Sequence, residues 1–275
     1  MLGLAKRNRS VEEHIQRVLI ILAIAIGVFM NANMFGTSHV YAQSDSFNYN
    51  CGSYCYDIEM FRQSTNWTIG AEAYNTVRGI SAGDGHLSNE IWLIDDHTYS
   101  GETDWVETGY FIATQVAGQG CAAYTEEFFW ADQRHNGGYN AHCFTPVGSG
   151  DYGHDVIDNV RRSTSDHSYW IVTITPYSTS QRVGTSTNNI MYPNRIDIGE
   201  ELFGTNSASG PKNEFHNNRY NALNGSWVYF SGSTPWNQIG NNPPWVGWNN
   251  GEDPTKDSTG GVEYTCSLPG SSNPC

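Results

Sequence analysis

Short stretches in which apolar and polar residues alternate recur along most of the chain. In Trp67–Tyr74, Trp67, Ile69, Ala71 and Ala73 fall on one side of an extended backbone and Thr68, Glu72 and Tyr74 on the other. A period of two is what a half-buried strand requires. Comparable runs, rich in β-branched and aromatic residues, cover Glu90–Asp95, Trp105–Ile112, Glu126–Gln133, Tyr169–Thr175, Arg195–Phe203 and Ser226–Ser231. Gly, Asn, Ser and Asp separate them, and few stretches carry a helical period. This pattern predicts an all-β fold, an antiparallel sandwich of two packed, jelly-roll-like sheets occupying residues 67–275. Residues 43–66 read as a lead-in tied down by Cys51 and Cys55. Thr234–Gly261, rich in Asn, Pro, Gly and Trp, reads as loops.

The first 42 residues have a different character. Lys6, Arg7, Arg9 and Arg17 precede an apolar run from Val18 to Met30, and Val40-Tyr41-Ala42 ends in a small residue. A basic start, an apolar middle and a small-residue exit are the parts of a secretory signal. The run is shorter than the roughly 20 residues of a membrane-spanning helix. The expectation is therefore export, cleavage after Ala42, and no stable membrane association of the mature chain.

Composition narrows the choice of partner. The whole chain has 14 Lys/Arg, 28 Asp/Glu and a net charge of −14. The proposed signal holds four of those basic residues, plus Glu12 and Glu13. The mature part thus carries 10 basic and 26 acidic residues, a net charge of −16. Nucleic-acid binding, which needs a basic surface, is disfavoured. All six cysteines lie after the signal, and an even count in an exported chain reads as disulfides. Spacing suggests Cys51–Cys55, Cys121–Cys143 and Cys266–Cys275, among about 15 possible pairings. A zinc site would need a second short Cys/His pair to match Cys51–Cys55, and the chain offers none.

Most familiar motifs lack their context. Gly79-Ile80-Ser81-Ala82-Gly83 fits G-x-S-x-G but runs into a turn and a strand instead of a helix. There is no H-E-x-x-H, and Asp253–Asp257 lacks the spacing of a calcium loop. Asn66-Trp67-Thr68 and Asn224-Gly225-Ser226 are glycosylation sequons. The carboxylates say more. Alternation places Glu107 on one face with Trp105 and Phe111. In Arg195–Leu202, Glu200 shares parity with Ile196, Ile198 and Leu202, and Glu201 with Asp197 and Phe203. A bulge at Gly199 would exchange the faces of the two Glu. Two carboxylates brought together can divide their pKa values, one acting as acid and the other as base. The alternative is that these residues are solvated surface acids.

The order of segments resembles the neprosin-like glutamic peptidases. Gly70-Ala71-Glu72-Ala73 is similar to the G-A-x-A that opens that domain, and Ser88-Asn89-Glu90-Ile91-Trp92-Leu93 to its S-x-x-x-W-V strand. Glu107-Thr108-Gly109-Tyr110 resembles E-x-G-W, and Gly199-Glu200-Glu201-Leu202 resembles G-G-E-V. Between them, Trp130-Ala131-Asp132 and Gly138–Phe144 resemble W-T-x-D and the aromatic-Cys segment. The fungal glutamic peptidases share this plan more remotely. A counterpart of the family's C-terminal H-T-x-x-M-G-S-G is missing. The resemblance spans about residues 67–231 and implies a secreted peptidase acting at acid pH, with Glu107 and Glu201 as the catalytic pair. It implies no metal and no cofactor, a polypeptide substrate and a monomer. Trp105, Tyr110 and Trp130 are candidates for lining substrate subsites, with core packing as their other role. Two further readings stay open: a glycan-active enzyme using two carboxylates, and a non-catalytic extracellular binding protein.

Overall fold

A computed structural model describes residues 54–62, 67–83, 85–99, 102–134, 138–164, 168–187, 193–203, 210–230, 237–240 and 262–267. All lie within one unit, Ser44–Cys275. The signal segment, Asn66, Cys51 and Cys275 fall outside the described residues, and with them the Cys51–Cys55 and Cys266–Cys275 pairings.

The described residues form fourteen strands and no helix. They are β1 (Tyr54–Arg62), β2 (Thr68–Thr76), β3 (His86–Tyr99), β4 (Glu102–Ala113), β5 (Glu127–Arg134), β6 (Gly138–Pro146) and β7 (Asp155–Arg162). After them come β8 (Trp170–Thr175), β9 (Arg182–Ser186), β10 (Arg195–Phe203), β11 (Gly210–Ala222), β12 (Trp227–Tyr229), β13 (Asn237–Gly240) and β14 (Val262–Ser267). One sheet has the order β13-β1-β10-β3-β4-β5-β6. The other runs β12-β11-β2-β7-β8-β9, with β14 also paired to β11. All pairings between these strands are antiparallel. The expected all-β sandwich is the observed fold.

All seven strands expected from alternation are present. Others carry weaker patterns. β1 lies in the segment read as a lead-in and pairs with β10 and β13. β13 lies in the Asn/Pro/Gly-rich stretch read as loops. β6, β7, β9 and β11 are mostly polar, and cross-strand hydrogen bonding holds them in place despite low strand propensity. The G-x-S-x-G match lies in the connection between β2 and β3, next to a strand and not a helix. Asn224-Gly225-Ser226 forms the exposed β11–β12 turn, where Gly225 has φ +85°.

The core lies between the sheets. Ile91, Leu93, Val106, Ile196 and Ile198 of the first sheet meet Ala71, Ala73, Val160, Val172 and Phe215 of the second. A second cluster packs Leu87, Tyr110 and Phe128 against Val77, Val156 and Ile174. Two buried asparagines of facing sheets are joined through Asn213, whose Nδ2 bonds Asn75 Oδ1 at 2.9 Å and Asn89 Oδ1 at 2.7 Å. These inward residues of β3, β4 and β10 all have one parity. The residues of opposite parity face away from the second sheet, and there the candidate site is built.

Candidate active site

The register of three adjacent strands places the acidic residues. On β3, His86, Ser88, Glu90, Trp92 and Ile94 alternate onto the outward face. On β4 the same face carries Trp105, Glu107, Gly109 and Phe111. Glu107 lies directly opposite Trp92, and Glu90 opposite Gly109. On the other side of β3, Glu90 faces Gly199 and Ser88 faces Glu201. Pairing is continuous through Gly199 with both β1 and β3, so no bulge shifts the parity. Glu201 therefore shares the face of Glu107, whereas Glu200 points inward and is buried.

Together these side chains line a cavity of about 570 Å³. Glu90, Glu107 and Glu201 bring three carboxyl groups to it. Two apolar clusters form its flanks. One comprises Phe111, Ala113, Phe129 and Ala141, and the other Ile58, Trp92 and Ile94 with Trp105 packed against them. These clusters belong to the outward face of the first sheet and are separate from the inter-sheet core. Apolar walls with a few convergent polar groups are the usual make-up of a ligand site.

Glu107 is buried and surrounded by donors. Trp105 Nε1 donates to its Oε2 at 2.7 Å, and the Tyr139 hydroxyl donates to its Oε1 at 3.0 Å. Trp92 bonds it as well. Tyr139 comes from β6, two strands away. It reaches Glu107 because the intervening partners, Ala131 and Ala141, are small. Burial first, and then the charge of the nearby Glu201, raise the Glu107 carboxyl from its ordinary 4.5 to about 8. The three hydrogen bonds act the other way but do not cancel the desolvation. Glu107 is thus held as a neutral acid at neutral pH.

The other two carboxyls have different neighbours. His86 Nε2 lies 2.8 Å from Glu201 Oε1, and both side chains are partly open to solvent. Glu90 is buried, with Ser88 Oγ donating to its Oε1. Burial first, then the charges of Glu107 and Glu201, push the Glu90 carboxyl well above the ordinary range. Asp197 also lines the cavity, held by the Arg195 guanidinium, whose Nε lies 2.7 Å from its Oδ1.

A loop closes one side of the cavity. Thr114, Gln115, Val116 and Ala117 follow β4 and form part of the lining. This loop is held against β6 by Gln119 N to Ala141 O and by Cys143 N to Gln119 O, both 2.9 Å. The Cys121–Cys143 disulfide completes the attachment, with Cα atoms 4.9 Å apart. Glu127 lies close to the two sulfurs, but these are bonded to each other and cannot serve as thiolate ligands.

Three of the five site residues expected from the sequence meet here: Glu107, Glu201 and Trp105. Tyr110 and Trp130 do not, which corrects their assignment to substrate subsites. Tyr110 is three residues from Glu107, so strand alternation turns it inward. It is fully buried, accepts from Arg78 N at 3.0 Å and donates to Asn213. Trp130 pairs with Thr108 on the same inward parity and packs in the inter-sheet core. A Cβ at residue 184 would lie 2.4 Å from Trp130 Nε1, so only glycine fits beneath the indole. Both aromatics sit within family-like motifs, but an odd offset from Glu107 already carried the contrary signal for Tyr110. Sequence reasoning passed over Glu90, Tyr139 and His86 as site residues. Glu90 was discoverable, being an acid inside an apolar strand two residues from Trp92. Tyr139 and His86 were not, because their approach depends on strand order.

No protein-family model matches the chain. No curated protein matches it either. Among solved structures, scytalido-glutamic peptidase with a peptide-based transition-state analogue superposes with a TM-score of 0.52 at 15% identity, covering 78% of this chain and 98% of that one. Its complex with a transition-state analogue inhibitor gives 0.51 at 17% identity with the same coverage. At such identities the likeness is one of fold: this chain has the two-sheet β architecture of a glutamic peptidase, over nearly the full length of that enzyme.

Proposed function

We propose that this chain is a secreted glutamic peptidase that hydrolyses polypeptides with a Glu107/Glu201 pair and no metal or organic cofactor. The observation that carries the reading is the placement of both carboxyls on one outward face and in one cavity, with Glu107 buried among indole and phenol donors. The fold likeness to peptidases supports it.

In the proposed reaction Glu201 is the base. It takes a proton from a water as the water oxygen bonds to the scissile carbonyl carbon. Glu107 is the acid, and gives its proton to the leaving nitrogen as the carbon–nitrogen bond breaks. Solvent then removes the proton from Glu201 and restores that of Glu107. Because Glu107 keeps its proton to about pH 8, the working range extends from acid toward neutral pH. The apolar walls on both flanks favour substrates with large apolar side chains next to the cleaved bond. The N-terminal segment would export the protein, which then acts outside the cell as a monomer without a membrane anchor.

The test is cleavage of a denatured protein between about pH 3 and 9, a span around the reference carboxyl and raised values. Glu107→Gln and Glu201→Gln should each abolish it while the fold stays intact. Glu200→Gln, on the inward face, should leave kcat/KM unchanged. A wild-type protein that releases reducing sugar from a glycan and no peptide would move the site to glycan chemistry. One that cleaves neither would leave a binding protein.

A further inference from the structure

The two-carboxyl reaction leaves a third acid of the cavity unused. Glu90 sits on β3, the strand between those that carry Glu107 and Glu201. Its register partners are both glycines, Gly109 on β4 and Gly199 on β10. Glu107 is two residues from the first of these and Glu201 two residues from the second. Glu90 is therefore the diagonal neighbour of both members of the pair, and diagonal neighbours on a sheet face are within reach of long side chains. A glycine inside a strand often marks a place where another backbone comes close. Here neither register partner sets a side chain beside Glu90, and a Cβ at Gly109 would lie 2.6 Å from both the Cα and the Cβ of Glu90, so the glycine is what gives the Glu90 side chain its room.

The hydrogen bonding of Glu90 is incomplete. Its Oε1 accepts from Ser88 Oγ. Its Oε2 is buried with no hydrogen-bond partner among the described residues. An unpaired buried polar atom calls for an explanation. In a site that binds a peptide, a carbonyl oxygen arriving beside Glu90 provides the missing partner.

We propose that Glu90 is a further catalytic residue of the peptidase site, a neutral carboxylic acid whose Oε2–H donates a hydrogen bond to the scissile carbonyl oxygen. The inference rests on the peptidase reading and divides its chemistry among three groups. Water attacks the carbonyl carbon and loses a proton to Glu201. The carbonyl electron pair moves onto oxygen, where the Glu90 hydroxyl stabilises the negative charge without transferring its proton. The intermediate collapses, the carbon–nitrogen bond breaks, and Glu107 protonates the nitrogen. A donor aimed at a developing oxyanion, in a site that excludes water, lowers the barrier more than most other single groups. A carboxylic acid fills that role only if its surroundings keep it neutral. The groups around Glu90 serve that end. Glu107 from β4, Glu201 from β10, Asp158 from β7 and Tyr139 from β6 present acids and a phenol, and the basic side chain nearby, His86, is engaged with Glu201.

Glu90→Gln and Glu90→Leu separate the possibilities. Gln keeps a neutral donor at this position and Leu removes it. With a denatured protein substrate, Glu90→Leu should lower kcat by about 10²–10³-fold, the usual effect of deleting one oxyanion donor, with KM nearly unchanged. Glu90→Gln should recover most of that loss. Equal loss in both variants would mean that Glu90 must ionise, and wild-type rates in both would mean that it takes no part; either result overturns the proposal. Carboxyl-carbon NMR titration of Glu-labelled protein gives a second readout, independent of turnover and of whether Glu90→Leu folds. One resonance that titrates well above the ordinary carboxylate range in the wild type should vanish in Glu90→Gln. If the Glu90 resonance titrates in the ordinary carboxylate range, the neutral-donor role is wrong. A wild type that cleaves no substrate sinks the peptidase reading, whereas the titration still decides whether Glu90 is held neutral.

Discussion

The Tyr139 hydroxyl reaches across β5 to donate a hydrogen bond to Oε1 of Glu107 at 3.0 Å. This bond favours the ionised carboxylate and opposes the burial that holds Glu107 neutral. Tyr139→Phe removes it, so the Glu107 pKa should rise beyond about 8. A hydrogen bond to a charged group is worth about 1.5–3 kcal/mol, which corresponds to a shift of roughly one to two pH units. The alkaline limb of the kcat profile should move upward by that amount. A profile that stays in place or moves down would separate Tyr139 from the acid.

Protonation of the site also links pH to stability. Glu107 holds its proton to about pH 8 in the folded chain, but loses it near 4.5, the ordinary value, when unfolded. Below 4.5 both states are protonated and there is no dependence. Between 4.5 and 8 the folded state binds a proton that the unfolded state has released, so stability falls as pH rises. The slope is up to roughly 1.4 kcal/mol per pH unit for one such group. Glu90, raised mainly by burial, acts in the same direction. Thermal melts from pH 4 to 9 should show Glu107→Gln gaining stability relative to wild type as pH rises. Parallel curves for the two proteins would contradict the buried neutral acid.

Gly109 marks a close approach of β3 and β4 beneath the site. A Cβ there would lie 2.1 Å from Asn89 O and 2.6 Å from the Glu90 Cα. The colliding atoms are backbone and cannot turn aside. Gly109→Ala should cost about 1–3 kcal/mol through overpacking, or roughly 2–4 °C in Tm per kcal/mol for a domain of this size. Because the collision pushes on the strand carrying Glu90, kcat should fall as well. An unchanged melt would show that the strands can separate freely.

The Cys121–Cys143 bridge ties the cavity-lining loop to β6 across a sequence separation of 22 residues. Replacing both cysteines by Ser should lower stability by about 2–5 kcal/mol. It should also raise KM more than it lowers kcat, since Val116 and Ala117 help wall the cavity while the carboxyls belong to strands. Denaturant melts and steady-state kinetics of the double variant test both effects. Loss of kcat with KM intact would place the loop's influence on the reacting groups instead.

The alternation of apolar and polar residues in Trp67–Tyr74, Trp105–Ile112 and Arg195–Phe203 determined by itself that the chain is a β protein and which side chains share a face. A strand's side chains alternate whatever its neighbours are, so Trp105 and Glu107 could be grouped, and Tyr110 separated from them, before any strand was paired. What alternation does not contain is which strands are adjacent and in what register. β3 lies between β4 and β10 although β10 is roughly a hundred residues away in sequence. Only that order brings Glu201 to the face of Glu107 and puts Glu90 between them. The choice between Glu200 and Glu201 likewise depended on whether Gly199 bulged, and the continuous ladders on both sides of β10 decided it. Strands such as β1 and β11 escaped the pattern because their place is held by hydrogen bonds to neighbouring strands, an energy that belongs to the assembled sheet and leaves little trace in the local sequence.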